Sequence, residues 1–177
     1  MIQTMKTLFP FLLFCFSTSI LFAQDNVNRP AKAPVAQYSI SNNYSKSDNG
    51  QLVINLPGQA ALALVVNPVG APKTFALRNA SPKELPPGSY DITFWGIKIP
   101  GVVIEKRKDT RIHAGILHST VKGTWEVWTI DGVKVYTSGG PKQVALPVGD
   151  YIIKTKGAEI KTTINDGKVS IFSFTSY

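Results

Sequence analysis

Two short segments with the same pattern decide the fold of this chain. Residues 85–96 read LPPGSYDITFWG, and residues 146–157 read LPVGDYIIKTKG. They are identical at six of twelve positions, with a constant offset of 61 residues. Self-similarity at a fixed spacing is typical of a chain built from copies of one structural unit. We therefore expect two β units, at residues 51–117 and 118–177.

The shared residues are typical of a turn that leads into a strand. They are Pro86, Gly88 and Tyr90 in the first copy and Pro147, Gly149 and Tyr151 in the second. The proline restricts φ before a turn, and the glycine is expected to adopt the positive φ of a tight turn into a strand. After the glycine, apolar residues alternate with polar ones, which is typical of a half-buried strand. Each motif is thus expected to open a core strand.

The residues outside the motifs also favour strands. Residues 124–137 contain an Asp131-Gly132 turn between two apolar runs, the pattern of a β-hairpin. A second hairpin is predicted from residues 159–164 and 168–174, and in the first copy residues 102–105 are expected to pair with 110–117. No apolar run at helical spacing exceeds two turns. The sequence predicts an all-β protein of two tandem antiparallel β-sandwich repeats.

The pattern Leu-Pro-x-Gly-x-Tyr-x-Ile, followed by a glycine and a hairpin, resembles the small Ig-like sandwich modules of the PEGA and carboxypeptidase-regulatory-like type. The resemblance covers both copies. Asn67-Pro68-Val69-Gly70-Ala71 is a partial echo of the Pro-x-Gly-Ala sequence of PEGA repeats, which is otherwise absent. The resemblance implies a non-catalytic accessory module of an exported bacterial protein, serving in adhesion, envelope anchoring or presentation of a partner domain.

The first 23 residues have the features of a secretory signal peptide. Lys6 precedes an apolar run at residues 8–16, and the small residue Ala23 marks the expected cleavage site; the alternative is an uncleaved anchor. The single cysteine, Cys15, lies inside this segment. Residues 24–50 are predicted to be a flexible polar leader, with an edge strand at residues 37–41. We expect a periplasmic, outer-surface or secreted protein without a transmembrane segment in its mature part.

The net charge of the whole chain is +8. Most bases are spread thinly, which argues against a nucleic-acid partner, because such proteins concentrate bases on one face. One cluster, Lys106-Arg107-Lys108, lies between two apolar runs. It is interpreted either as a solvated turn or as a contact for anionic envelope glycans.

Residues suited to catalysis or metal binding are sparse. The only histidines, His113 and His118, are five residues apart and would project to opposite faces of a strand. Most carboxylates fall in turn sequences, while Glu126 and Asp91 are expected in mid-strand. We predict no enzyme activity, no catalytic residue, no metal and no cofactor, and keep a carboxylate-based hydrolase as a minor alternative.

Aromatic side chains are the stronger binding candidates. Trp95, Trp128 and Tyr136 lie on predicted strands, where an exposed ring could stack on a sugar or contact a partner chain. The competing interpretation is that Trp95 and Trp128 bury each other where the repeats meet. The sequence favours an envelope module that binds a glycan or protein partner; the alternative is a structural component that assembles through its sheet edges.

Overall fold

The computed structural model describes residues 31–32, 37–43, 47–70, 74–78 and 80–173. Within these ranges every regular element is a β-strand, so the prediction of an all-β protein is confirmed for this part of the chain. It contains no helix long and apolar enough to cross a membrane. The predicted signal peptide and the last four residues lie outside the described residues.

The described residues form sixteen strands. Two N-terminal strands are β1 (Ala31–Lys32) and β2 (Tyr38–Asn42). The next seven, called unit 1, are β3 (Gly50–Ile54), β4 (Leu64–Pro68), β5 (Phe75–Leu77), β6 (Lys83–Leu85), β7 (Gly88–Phe94), β8 (Ile97–Ile104) and β9 (Lys108–Ile112). The last seven, called unit 2, are β10 (Ala114–Ser119), β11 (Trp125–Thr129), β12 (Lys134–Ser138), β13 (Lys142–Pro147), β14 (Gly149–Thr155), β15 (Ala158–Ile164) and β16 (Val169–Phe172).

The two units have the same strand order. Unit 1 forms sheets β8-β7-β4-β5 and β9-β3-β6, and unit 2 forms sheets β15-β14-β11-β12 and β16-β10-β13. In each unit the last strand pairs parallel with the first, whereas the other pairings inside a unit are antiparallel. The repeat seen in twelve residues thus extends to the topology of seven strands.

Two of the predicted hairpins are wrong. β8 and β9 follow one another in sequence but lie in different sheets, and so do β15 and β16. At each crossing a tight turn packs against a glycine of the first strand. A Cβ on Gly50 would lie 2.2 Å from the Glu105 carbonyl oxygen, and one on Gly115 would lie 2.4 Å from that of Asn165. Only a glycine leaves room for the turn at the point where the chain crosses to the other sheet. The hairpin predicted at residues 124–137 is present as β11 and β12.

The shared motif forms a tyrosine hydrogen bond in both units. The Tyr90 hydroxyl donates to the Pro86 carbonyl oxygen at 2.7 Å, and the Tyr151 hydroxyl donates to that of Pro147 at 2.9 Å. The same device, a tyrosine bonded to backbone a few residues upstream, occurs in Ig-type sandwiches. The expected positive-φ turn is wrong at Gly88, which begins strand β7 and is not among the positive-φ glycines.

Two apolar clusters fill the units, and each draws on both of its sheets. The clusters also cross the unit boundary: Ala145 of β13 belongs to the unit 1 cluster, and Ile97 of β8 belongs to the unit 2 cluster. His113 alone separates β9 from β10. Residues 114–117, expected in the first repeat, pair with β13 and β16 of unit 2. The two units are joined without a linker and share packing.

The N-terminal strands extend the sheets of unit 1. β2 pairs antiparallel with β9, close to the edge strand predicted at residues 37–41. β1 pairs parallel with β8. The predicted leader, residues 24–50, therefore contributes strands to both sheets of unit 1.

Candidate functional site

A cleft of about 730 Å³ opens at one end of unit 2. One wall is the loop of residues 120–124 between β10 and β11, and the other is the end of β14 with Lys156. The lining residues are Thr120, Val121, Lys122, Gly123, Thr124, Glu126, Lys154, Thr155 and Lys156. A ligand site commonly occupies about 300–1,000 Å³, so the volume suits a small group or a few sugar rings.

The loop that forms this wall is fixed at its start. The Val121 backbone N–H donates to the Ser119 hydroxyl at 3.2 Å, and the Thr120 N–H donates to the Phe172 carbonyl oxygen at 3.0 Å. The Val121 side chain is buried in the unit 2 core. The next three residues are exposed, and they present a lysine and a threonine to the cleft.

The cleft lies where unit 2 departs from the repeat. Thr155 takes the place of Phe94, and Lys156 takes the place of Trp95. Phe94 is completely buried in unit 1. The Thr155 hydroxyl oxygen is also buried, but it has no hydrogen-bond partner among the described residues. Unit 2 thus has a shorter side chain with an unsatisfied hydroxyl where unit 1 has a buried aromatic ring.

Beside the cleft, the outer side of sheet β15-β14-β11-β12 carries a partly exposed indole. We call Trp128 with Glu126, Lys134 and Lys154 the Trp128 face. The Lys154 ammonium lies 4.7 Å from the indole ring centroid, and that of Lys134 lies 5.9 Å away. Cations at such distances are attracted to the negative face of an aromatic ring. Trp125 and Val127, which alternate with this face, are completely buried.

Glu126 is held as a carboxylate at the border between cleft and face. Its Oε1 accepts a hydrogen bond from Lys134 at 3.1 Å, and its Oε2 accepts one from the Trp128 indole N–H at 2.9 Å. The Lys134 ammonium lowers the pKa of this carboxyl, and the Trp128 bond lowers the pKa further. A general acid needs a raised pKa, so the arrangement favours an electrostatic role for Glu126.

The lysines of the cleft differ in their partners. Lys154 pairs with Glu159 at 2.7 Å. Lys122 and Lys156, by contrast, form no ion pair within the described ranges. Their charges are therefore available to a ligand.

Trp95 and Tyr136 occupy the boundary between the units. Trp95 lies in the β7–β8 turn with φ +48°, not on a strand face as the sequence suggested. Its ring contacts that of Tyr136 at 4.8 Å between centroids, and its indole N–H donates to the Ala145 carbonyl oxygen at 3.1 Å. The expected mutual burial of Trp95 and Trp128 is wrong, because Trp128 lies on the outer side of another sheet.

The basic cluster is a turn between β8 and β9. Lys106 and Arg107 both contact Asp48, at 2.8 and 3.4 Å, and Lys108 pairs with Glu105. Lys106 and its neighbour lower the pKa of the Asp48 carboxyl. Each base of the cluster thus has an acidic partner on the surface.

The structure assembles one cluster that the sequence did not predict. Asp166 Oδ2 accepts a hydrogen bond from Arg111 at 2.9 Å and lies 3.0 Å from His113 Nδ1. Its Oδ1 accepts the Ala114 backbone N–H at 3.3 Å. Asp166 precedes Gly167 in one of the turn sequences, and its contacts tie unit 2 to the residues that join the units. Within the described ranges, no group of three or more potential metal ligands occurs.

The repeat alignment contained a signal for the cleft. The copies differ in residue type at positions 94 and 155, where an apolar ring is replaced by a hydroxyl, and at positions 95 and 156, where an indole is replaced by an ammonium. Comparison of the two copies for differences, as well as identities, would have pointed to this end of unit 2.

No protein-family model matches the chain, and a search of curated proteins finds no match. Among solved structures, the chain is similar to the TIE protein of Bacillus anthracis, with a TM-score of 0.32, 16% identity and coverage of 72% of this chain and 34% of that one. It is also similar to GBS52, the minor pilin of Streptococcus agalactiae, with a TM-score of 0.30, 13% identity and coverage of 71% and 94%. The chain spans about a third of the length of the TIE protein. Neither similarity assigns a family.

Proposed function

We propose that this chain is an exported, non-catalytic module of the bacterial cell envelope that binds a glycan through unit 2. Each unit would be an Ig-like sandwich of the type that the sequence motif resembles. The proposal is supported by the common strand order of the units and by their junction without a linker, because two sandwiches joined in this way would present a surface in a fixed orientation.

The observation that carries this proposal is the cleft beside the Trp128 face. Carbohydrate sites commonly combine an aromatic ring, on which a sugar stacks, with polar groups that bond its hydroxyls. Here an indole lies next to a concave surface lined by lysines and threonines. A protein partner is the other occupant that the sequence favoured, but a concave cleft lined by lysines and threonines fits a sugar chain better than it fits a flat protein surface.

A pull-down with insoluble envelope polysaccharides tests the proposal. The chain without its predicted signal peptide is expected to be retained, and Trp128→Ala is expected to lose most of this retention. Ile130→Ala is the control, because Ile130 is 53% exposed in the turn of the same hairpin and lies outside the cleft lining. Retention unchanged by Trp128→Ala would refute binding through this face.

The same polysaccharides test the non-catalytic part of the proposal. We expect no release of reducing sugar on prolonged incubation, since the carboxylate at the cleft has a lowered pKa. Turnover that disappears in Glu126→Gln would establish a hydrolase instead. Export is tested separately by sequencing the N-terminus of the protein recovered from the envelope and the medium, where a start at Gln24 is expected.

A second candidate function, assembly through a sheet edge, is favoured by strand β16. Its two outward side chains, Val169 and Ile171, are 45% and 72% exposed, and the strand carries no charge. Natural edge strands are usually protected by charges or a covering segment. The equivalent strand of unit 1, β9, is covered by β2. We propose a second copy of this chain, paired antiparallel through β16, as the occupant.

Sedimentation velocity over a range of protein concentrations tests this second candidate. A dimer is expected for the unmodified chain and a monomer for Ile171→Lys. Val69→Lys is the matched control, since Val69 is 59% exposed and lies outside the strands. A monomer at every concentration would refute assembly through β16 and would leave the glycan proposal intact.

A further inference from the structure

The cleft of unit 2 has the chemistry of an anion site. Of its three lysines, two, Lys122 and Lys156, have no acidic partner within the described ranges. The only carboxylate of the lining, Glu126, has both oxygens occupied by Lys134 and Trp128. The lining therefore has an excess of positive charge, and its single acid is already neutralised by a neighbour outside the cleft.

The hydroxyl groups of the cleft support the same assignment. A buried polar atom without a partner is rare in proteins and calls for an explanation. The Thr155 hydroxyl is such an atom, and a bound anion that accepted its proton would satisfy it. Thr124 adds a second hydroxyl from the opposite wall. Ammonium and hydroxyl donors on two walls are the groups that bind a carboxylate or a phosphate.

The equivalent end of unit 1 also has a cleft, of about 510 Å³, but its lining is mainly apolar and includes Trp95. In unit 1 the equivalent positions hold Phe94, which fills the core, and Trp95, which is packed against unit 2. In unit 2 both positions are polar, and Lys156 is exposed. A buried ring and a packed indole are thus replaced by a buried, unpaired hydroxyl and an exposed ammonium.

We infer that the cleft binds the negative group of an acidic polysaccharide, a carboxylate or a phosphate, while the Trp128 face stacks a neighbouring sugar ring. This inference rests on the proposed glycan-binding function and specifies its ligand class. Lys122 and Lys156 would contact the anion from opposite walls, and Thr155 would donate its hydroxyl proton to the same group.

Titration calorimetry with three oligosaccharides tests the inference on the whole chain without its predicted signal peptide. The probes are a hexamer of galacturonic acid, the methyl ester of that hexamer, and an oligomer of glycerol phosphate. The acidic hexamer is expected to bind at least about tenfold more tightly than its ester, and added salt should weaken only the acidic probes. The stronger of the two acidic probes identifies carboxylate or phosphate as the preferred anion.

Variants then locate the site. Lys122→Gln combined with Lys156→Gln is expected to reduce affinity for the preferred acidic probe about tenfold and to leave affinity for the ester unchanged. Lys161→Gln is the control, because it removes one charge from the adjacent strand β15, outside the cleft lining. Thr155→Val should weaken the acidic probe alone, and its melting temperature shows that it remains folded.

Each remaining outcome counts against the inference. Equal binding of the hexamer and its ester, with loss of both in Trp128→Ala, would refute the anion site and retain the glycan-binding function. An equal loss per removed charge in Lys161→Gln and in the double variant would indicate diffuse attraction by net charge. Failure of all three probes, together with failure of the polysaccharide pull-down, would overturn the proposed function as well.

Discussion

The two units have one topology but use the same end of it differently. In unit 1 the strand β7 ends at Phe94, which is buried in the core, and Trp95 in the following turn contacts the neighbouring unit and lines a smaller, mainly apolar cleft. In unit 2 the equivalent residues of β14 are Thr155 and Lys156, which line an open cleft. A repeat can therefore keep its strand order while one position changes from a buried ring to the polar lining of a cleft.

The largest effect is expected when unit 1 is made like unit 2. Phe94→Thr removes a completely buried ring and should lower the free energy of unfolding by about 3–5 kcal/mol, the range for Phe→Ala in a core. The reverse type of change, Thr155→Val, removes an unpaired buried hydroxyl and should raise stability by about 1 kcal/mol.

Urea unfolding of both variants against the unmodified chain measures this difference. Changes in the free energy of unfolding that agree within about 0.5 kcal/mol, the usual range for neutral surface changes, would show that positions 94 and 155 have equivalent environments. The distinction between a buried aromatic position in unit 1 and a cleft-lining position in unit 2 would then fail.

The next prediction concerns the adjacent pair of positions. Trp95→Ala removes the ring contact with Tyr136 and the hydrogen bond to Ala145, and should cost about 2–3 kcal/mol, below the range for a fully buried Trp. Lys156→Ala, at the equivalent place, should change stability by less than about 0.5 kcal/mol.

Thermal unfolding by calorimetry checks both variants. Because Trp95 joins the units, we also expect its loss to broaden the transition or divide it into two. A single sharp transition with an unchanged melting temperature in Trp95→Ala would mean that the junction depends on the other contacts, such as that of Asp166 with Arg111.

The sequence predicted the strands and their repeat, and it missed the contacts that depend on tertiary packing. The strand content and the β11–β12 hairpin followed from alternation and from the Asp131-Gly132 turn. The motif Pro-x-Gly-x-Tyr was recognised as a turn into a strand, but its tyrosine hydrogen bond was not predicted. The hydrogen bond from the tyrosine to a carbonyl four residues upstream depends on a packed corner, which local propensity does not specify.

Pairing between distant strands was the other failure. Residues on either side of Lys106-Arg107-Lys108 look like a hairpin because a polar turn separates two apolar runs. The pairing partners of β8 and β9 are instead determined by contacts between residues distant in sequence, such as that of Gly50 with the Glu105 carbonyl. For the same reason the contact of Trp95 with Tyr136 could not be derived from periodicity.

The tyrosine bonds give a prediction of intermediate size. Tyr151→Phe should cost about 1–2 kcal/mol, because its hydroxyl bond to Pro147 is fully buried. Tyr90→Phe should cost about 0.5–1 kcal/mol, because the corresponding bond in unit 1 is only partly buried.

Alkaline titration sharpens this difference. Burial raises the pKa of both tyrosines in the folded state, so their protonated forms stabilise the fold below the unfolded pKa of about 10. That contribution is lost as the pH rises above this value. The stability of Tyr151→Phe should therefore depend less on pH between about 9 and 11 than that of the unmodified chain. Identical slopes would contradict burial of the Tyr151 hydroxyl.

The smallest expected effect compares the outer sides of the sheets that contain β8-β7-β4-β5 and β15-β14-β11-β12. Glu126 of unit 2 pairs with Lys134, and Asp91 of unit 1 pairs with Lys98 at 2.6 Å. The lysine in each pair lowers the pKa of its carboxyl. A lowered folded pKa stabilises the protein above the unfolded pKa, near about 4, and this stabilisation is lost as the pH falls through the folded pKa. Because the partners are partly exposed, each pair should contribute only about 0.2–1 kcal/mol.

Unfolding of Glu126→Gln and Asp91→Asn at pH values from about 7 to 3 tests both pairs. Each variant should be slightly less stable than the unmodified chain at neutral pH, and the difference should vanish in acid. The two units are expected to behave alike here, since both pairs lie on exposed sheet surfaces and neither depends on how the end of the sheet is filled. A much larger effect for Glu126 would indicate that its bond to the Trp128 indole also stabilises unit 2. The Trp128 face would then be part of the packing of unit 2 as well as a surface for a ligand.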